Sequence, residues 1–308
     1  MFNCLASVYR PEILATMKSI QFANVEDQYR KYAGELRTSD VQKLREWASS
    51  QPHLPPITEL ELILFLHSNY YDMDAAQRTV ECYYTFRSSC KNLFGNRNLE
   101  TSAIQMAMDV LDLAILPDPT PEGYRVLLAK IVEPDASKFS LSSILTFALM
   151  CVDIQLWEEG CNNGSILIID MDGIHLGHLP KLGIFTLKDL LYFIQEGLPI
   201  RLKGLHLANV VPFINRIMTM IKPFMKKELL EIFHLHTSMQ TLFPYIPQHL
   251  LPADYGGIAR PRKVLRDDMY NHTTECADFL VKYDTLKRVD ESKRIAKQRT
   301  MSNLFGLF

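Results

Sequence analysis

The sequence predicts a mixed α/β domain with a largely parallel sheet and crossover helices, preceded by a small all-helical module. Three observations carry that expectation. Ile166-Leu167-Ile168-Ile169-Asp170 is a continuous apolar run, the pattern of a strand buried on both faces of a parallel sheet. From Ser165 to Gly257, strand-type runs alternate with long apolar helical runs, which is the grammar of strand–helix–strand crossovers. Up to Gly95, by contrast, the apolar residues recur only at helical spacing. The boundaries that follow are a lead-in over 1–24, a helical module over 25–95, the α/β domain over 96–262 and a basic tail over 263–308.

Taken in order, residues 1–24 have weak periodicity. Val25 to Leu36 is polar with a thin apolar stripe, and Ser39 with Gln42 forms a capping-box pattern for a helix running through Leu44 and Trp47. Pro52, Pro55 and Pro56 stop it, Thr58 caps a helix over Glu59 to His67, and Asp72 caps the next, with Ala76, Val80, Tyr83, Tyr84 and Phe86 on one stripe. Leu99 to Leu116 reads as a further amphipathic helix, and the Pro-Asp-Pro-Thr-Pro-Glu-Gly cluster after it as the turn leading into the sheet. Strand, turn, buried helix, strand, helix, strand, helix and short strand then run to His236. Along Ile200 to Leu207 strict alternation places the leucines on one face and starts Arg201 and Lys203 on the other. Leu250 to Gly257 closes the domain, and Lys282 to Arg299 is strongly basic, with an apolar end in Asn-Leu-Phe-Gly-Leu-Phe.

Composition narrows the function. At 308 residues and 47% apolar content the chain can bury a sizeable core, and a net charge of -2 gives no global footprint for nucleic acid. No stretch supplies the roughly 18 apolar residues of a membrane span, because Ile144 to Trp157 is interrupted by Thr146, Asp153 and Gln155. The N-terminus lacks a signal-peptide pattern, and six scattered cysteines without metal spacing fit reduced thiols of a cytoplasmic protein, which leaves the sequons at Asn163 and Asn271 silent. His234 and His236 would share a strand face, yet no third ligand has metal spacing. No dinucleotide, P-loop or nucleophile-elbow motif occurs, so neither a cofactor nor a nucleophile is expected.

The segments Asp170-Met171-Asp172-Gly173, Pro199 to His236 and Leu250 to Gly257 occur in an order that resembles the lipid-binding domain of the CRAL-TRIO family, in its tocopherol-transfer and retinaldehyde-binding branch. Leu54 to Arg87 resembles the helical N-terminal module of that family, and Leu116 to Phe139 its first strand and following turn. The resemblance implies one small hydrophobic lipid held in an enclosed cavity, a gate helix that opens at membranes, and no bond made or broken. The gate is the stretch from Pro212 to Phe224, whose stripe is Phe213, Ile217, Met220, Ile221 and Phe224. The remaining lining is expected from Ile144, Phe147, Ala148 and Cys151 of the buried helix, and from Leu187, Leu190, Leu191 and Ile194.

Arg201 and Lys203, alternate residues of one strand, match positions where this branch binds a phosphoinositide headgroup. With Lys222, Lys226 and Lys227 they form the expected contact with an anionic membrane surface or phosphoinositide, transient in a cytoplasmic protein. The pattern departs from the relatives at His67, Glu228 and Ile232, where they carry further basic residues. Two other function classes compete. Ile-Leu-Ile-Ile-Asp-Met-Asp-Gly also resembles the start of haloacid-dehalogenase-type phosphatases, with Asp170 as nucleophile, Asp172 as acid and base, Mg²⁺ between them, and Asp267 and Asp268 as the distant metal pair. Against it, the motif stands past the middle of the chain, and Asp267 and Asp268 follow no buried strand. The third class is a scaffold that keeps the fold without a ligand.

Overall fold

Three side chains start the helices of the N-terminal module. In this computed structural model, which describes residues 20–295, Asn24 accepts from Glu26 N and Asp27 N at the start of α1 (Val25–Lys31). Thr58 and Glu61 form a reciprocal capping box at α3 (Glu59–Ser68), and Asp72 accepts from Ala75 N at α4 (Met73–Ser89). The Ser39 box expected for α2 (Thr38–Ser49) does not form: the helix begins two residues earlier and Arg37 holds the cap position without a side-chain bond. Every residue of α3 from Leu60 to His67 is buried, so this helix is the core of the module rather than one of its faces. A short α5 (Lys91–Phe94) ends the module, and Phe193 from the following domain inserts between Phe86 and Phe94, stacked at 5.5 Å on the first.

The expected helix over Leu99 to Leu116 is two elements. Its first half is α6 (Ser102–Val110); its second half is strand β1 (Leu111–Ile115), antiparallel to β2 (Tyr124–Ile131). The reason is readable: Leu111, Leu113 and Ile115 alternate with Asp112 and Ala114, a period of two that the helical reading ran through. After α7 (Leu141–Glu159), β3 (Gly164–Asp170), α8 (Ile184–Tyr192), β4 (Leu202–Ala208), α9 (Ile214–Ile221), α10 (Lys227–Glu231) and β5 (Phe233–Leu235), the sheet has the order β1-β2-β3-β4-β5, with every pairing after the first parallel. At 19 residues α7 is long and apolar enough to match a membrane span, which the sequence reading had put too short, but it lies packed in the interior.

Strand β4 does not alternate strictly. Ser165 pairs with Leu202 while Ile166 pairs with Gly204, so Lys203 is an extra residue bulged out of the ladder. The bulge resets the side-chain phase, and Leu202, Leu205 and Leu207 come to one face although their numbering is not of one parity. Glycine is required beside it: a Cβ on Gly204 would stand 2.5 Å from His206 Nε2, and one on Gly164 would stand 2.3 Å from Lys203 Cγ.

The expected basic tail is largely folded. Helices α11 (Arg262–Glu275) and α12 (Ala277–Leu286) bury Tyr270, Cys276, Phe279, Leu280 and Tyr283 in the main core. Some of its charges, Asp284, Lys287 and Arg294 among them, are partnered inside. Asp153 of α7 accepts from Arg87 of α4 at 2.9 Å and from Arg97 at 2.6 Å, Asp284 stands 3.4 Å from each of these arginines, and Lys287 bonds Glu61 at 2.7 Å. Composition suggested solvent; partners far away in sequence made burial possible. The apolar ending of the chain lies outside the described residues.

Candidate ligand-binding cavity

One face of the sheet is packed solid and the other borders a void. Val126, Leu128 and Ile168 are fully buried against Leu242, Ile246 and Leu251, which belong to the segment after β5. Their neighbours Leu127, Ala129, Leu167 and Ile169 point the other way and are only half-buried, because they line a cavity of about 300 Å³. The opposite wall comes from α7, α8 and α9. Ile144, Ala148, Leu187, Leu190, Leu191, Ile194, Ile217 and Ile221 all reach this space.

Five of the residues expected in the lining lie elsewhere. Phe147 and Cys151 occupy the far side of α7, where Phe147 packs edge-on at 4.7 Å against Tyr270 and Cys151 Sγ lies 3.6 Å from Thr273 Oγ1. They point to α11, the part expected to be a tail. Phe213 lines a shallow depression outside the cavity with Leu176, Pro212, Asn215 and Arg216. Met220 and Phe224 pack on the edge of the core, with Lys188 Nζ 5.8 Å from the Phe224 ring centre. The sequence reading in turn missed the sheet residues Leu127, Ala129, Leu167, Leu205 and Leu207; the phase of the strands identifies them once the buried helix is placed on one side.

The helix expected from Pro212 begins at Ile214 with Phe213 at its cap position, and Lys222–Phe224 forms a tight turn that carries Pro223. Its far end is tied down. Gln195 donates to Phe224 O at 3.0 Å and accepts from Lys226 N at 2.7 Å, from a single π-helical turn over Phe193–Gly197.

The basic residues fall into two sets. Arg201 donates to His67 O at 2.7 Å and stacks on Tyr70 at 4.2 Å, and Lys203 Nζ donates to the Tyr70 hydroxyl at 2.8 Å. The tyrosine sits in a left-handed turn, with φ of 52° at Tyr70 and 64° at Tyr71. Lys226 and Lys227 pair with Glu196 and Glu231, and Lys222 is exposed at the end of the lid.

With the walls of the cavity in place, comparison with known proteins bears on the family. Residues 111–257 match the CRAL/TRIO domain, and residues 33–104 match the Pinta-like UBA domain. Residues 111–257 thus form a CRAL/TRIO domain. It is similar to the alpha-tocopherol transfer protein-like proteins of human (30% identical) and mouse (29% identical), over 232 residues that make up 73% of this chain and 66% of those relatives. The chain thus spans just under two thirds of their length. Rat clavesin-1 is 26% identical over 258 residues, covering 80% of this chain and 73% of its own. The crystal structure of Sfh5 shares the fold, with a TM-score of 0.52 at 13% identity over 87% of this chain and 99% of that one.

In this CRAL/TRIO domain, Asp170 is a structural node. Its carboxylate accepts from Asn209 Nδ2 at 2.8 Å, the Tyr255 hydroxyl at 2.7 Å, Lys130 Nζ at 2.9 Å and Asp172 N at 3.0 Å, so it ties three strand ends to the closing turn. Burial alone would raise its pKa, but these bonds hold it below the usual carboxylate value. Lys130 also bonds Asp172 at 2.6 Å. A carboxylate so fully engaged is a poor nucleophile, and Asp267 and Asp268 sit on α11 paired with Lys263, Arg266 and Arg260, not at a strand end.

The imidazoles likewise serve packing. His206 Nδ1 and His236 Nε2 share a hydrogen bond of 2.9 Å, His234 stacks on His206 at 5.0 Å, and among the described residues no group of three or more His, Cys, Asp or Glu could hold a metal. Burial and then the neighbouring His234 and His236 lower His206 to about 4, while burial and then Arg201 and Lys31 lower His67 to about 3. Both lie below the ordinary 6.5, so on acidification the unfolded chain takes up protons first. The stability these neutral rings contribute is complete above about pH 6.5 and is lost as pH falls toward about 4 for His206 and about 3 for His67. Urea midpoints should therefore drop between about pH 7 and about pH 5, and drop less in His67→Gln; equal midpoints would contradict the assignment.

Proposed function

We propose that this protein binds one small hydrophobic lipid in the cavity and moves it between membranes without catalysis. The observation that carries this reading is the cavity itself, about 300 Å³ walled almost wholly by aliphatic side chains. Burial of ligand surface there contributes about 25 cal/mol per Å², and no polar group of the protein has to be desolvated along most of the wall. The names of the tocopherol-transfer-like relatives support the same ligand class.

Release requires a wall to open. Helix α9 is the thin one: Ile217 and Ile221 face the cavity, whereas Asn215, Arg216 and Thr219 face water. Because Gln195 pins the end at Phe224 and Lys226, the lid swings from its Phe213 end. Exposed Leu176, 57% accessible and beside Phe213 in the shallow depression, gives that end an apolar rim suited to lipid. Arg201, Lys203 and Lys222 then meet anionic headgroups, phosphoinositides included, from the cytoplasmic side; Tyr70 has to move aside for the first two.

Transfer of a fluorescent lipid from neutral to anionic vesicles tests this. Phe213→Asp and the Arg201→Ala/Lys203→Ala double variant should each slow transfer by about tenfold or more. Wild-type rates in both would remove the gate from the mechanism. Native mass spectrometry of protein from its own tissue should show a stoichiometric lipid, and an empty protein would favour the scaffold.

A further inference from the structure

The cavity wall is not uniformly greasy. Helix α7 presents to it, turn by turn, Leu141, Ile144, Leu145, Ala148 and Val152, and then Gln155. The glutamine stands on the apolar stripe near the helix end, its Nε2 shielded from solvent and without a hydrogen-bond partner. Asn162, in the turn that follows α7, and Ser165, the second residue of β3, line the same cavity. These three, with Lys130, are its polar lining, and Lys130 is committed to Asp170 and Asp172.

An unpaired amide N–H in an apolar chamber is unfavourable unless an occupant accepts from it. A leucine at this position would fill the same space without that penalty. We infer that Gln155, flanked by Asn162 and Ser165, is the specificity-determining group of the cavity and takes the neutral hydrogen-bonding end of the ligand, a hydroxyl or carbonyl oxygen. A carboxylate or phosphate is disfavoured here, because none of the three carries the positive charge that would offset desolvation of an anion. The ligand class narrows to a largely hydrocarbon molecule with one uncharged polar terminus, seated at the β3 amino end, while its apolar body runs toward Ile217 and Ile221 under the lid.

This inference rests on the lipid-binding reading, and the test separates the two. Delipidated protein is equilibrated with phosphatidylcholine vesicles containing equal amounts of hexadecane, hexadecanol and hexadecanoate, and occupancy is read by native mass spectrometry. The wild type should take hexadecanol over hexadecane and over hexadecanoate by about tenfold, the effect of one buried hydrogen bond. Gln155→Leu should erase the preference for the alcohol while still binding hexadecane, and should melt at a higher temperature than the wild type when both are empty. A wild type that binds the three alike, or a Gln155→Leu variant that keeps the preference, overturns the assignment of Gln155 and leaves the lipid reading standing. A Gln155→Leu variant that melts lower when empty shows that the amide was satisfied by the protein, and overturns it too. Binding of none of the three defeats the lipid reading, and the inference falls with it.

Discussion

Ala148→Trp should abolish lipid binding, weakening occupancy by about a hundredfold or more while the protein stays folded. Ala148 is the small residue at the centre of the α7 wall, facing the void, and an indole built there projects into space that is otherwise available to ligand. The steric argument does not depend on which lipid binds. Native mass spectrometry reads the bound mass directly, and near-ultraviolet circular dichroism reports whether packing is intact. Thr219→Trp, on the exposed side of the lid, is the control and should retain ligand. If Ala148→Trp carries its lipid as the wild type does, the cavity is not the ligand chamber.

Asp153→Ala should cost about 3–5 kcal/mol of stability, because it leaves two buried guanidinium groups facing one another without their shared carboxylate. Arg87 and Arg97 side chains are each 2% accessible, and Asp153 lies between them at 2.9 and 2.6 Å. Asp284, which also bonds both at 3.4 Å and is shared with Arg288, leaves a single buried carboxylate to serve these guanidinium groups. Urea denaturation should show the loss, and Asp267→Ala, which breaks an exposed pair with Lys263, should stay within about 0.5 kcal/mol of the wild type. Similar small effects at both positions would mean that solvent reaches the Asp153 site.

What could be read from the amino acids, and what could not, follows from the range of the forces involved. Caps are local: Thr58 with Glu61 and Asp72 with Ala75 lie within one helical turn, and both were legible. The parallel strand at Ile166 to Ile169 announced itself through a run of branched apolar residues. The orientation of α7 did not. Leu141 to Trp157 is apolar on nearly every side, so its pattern cannot say which residues face the cavity and which face the C-terminal helices, and Phe147 and Cys151 were assigned to the wrong side. The C-terminal helices were hidden for a related reason. Lys287 reads as a surface charge until Glu61, more than two hundred positions earlier, is brought to its side. The β4 bulge was equally invisible, since only pairing with β3 shows that Lys203 is one residue too many.

The buried charges also restrict how the molecule can move. Asp153 belongs to the α/β domain, Arg87 to the helical module and Asp284 to the returning C-terminal segment, so three distant stretches are riveted at one dry point. Pulling the module from the domain like two halves of a clamshell would strand those ions in a medium that cannot solvate them. A single heat-absorption peak, rather than two, is therefore the expected calorimetric mark of a body whose halves cannot part before they melt.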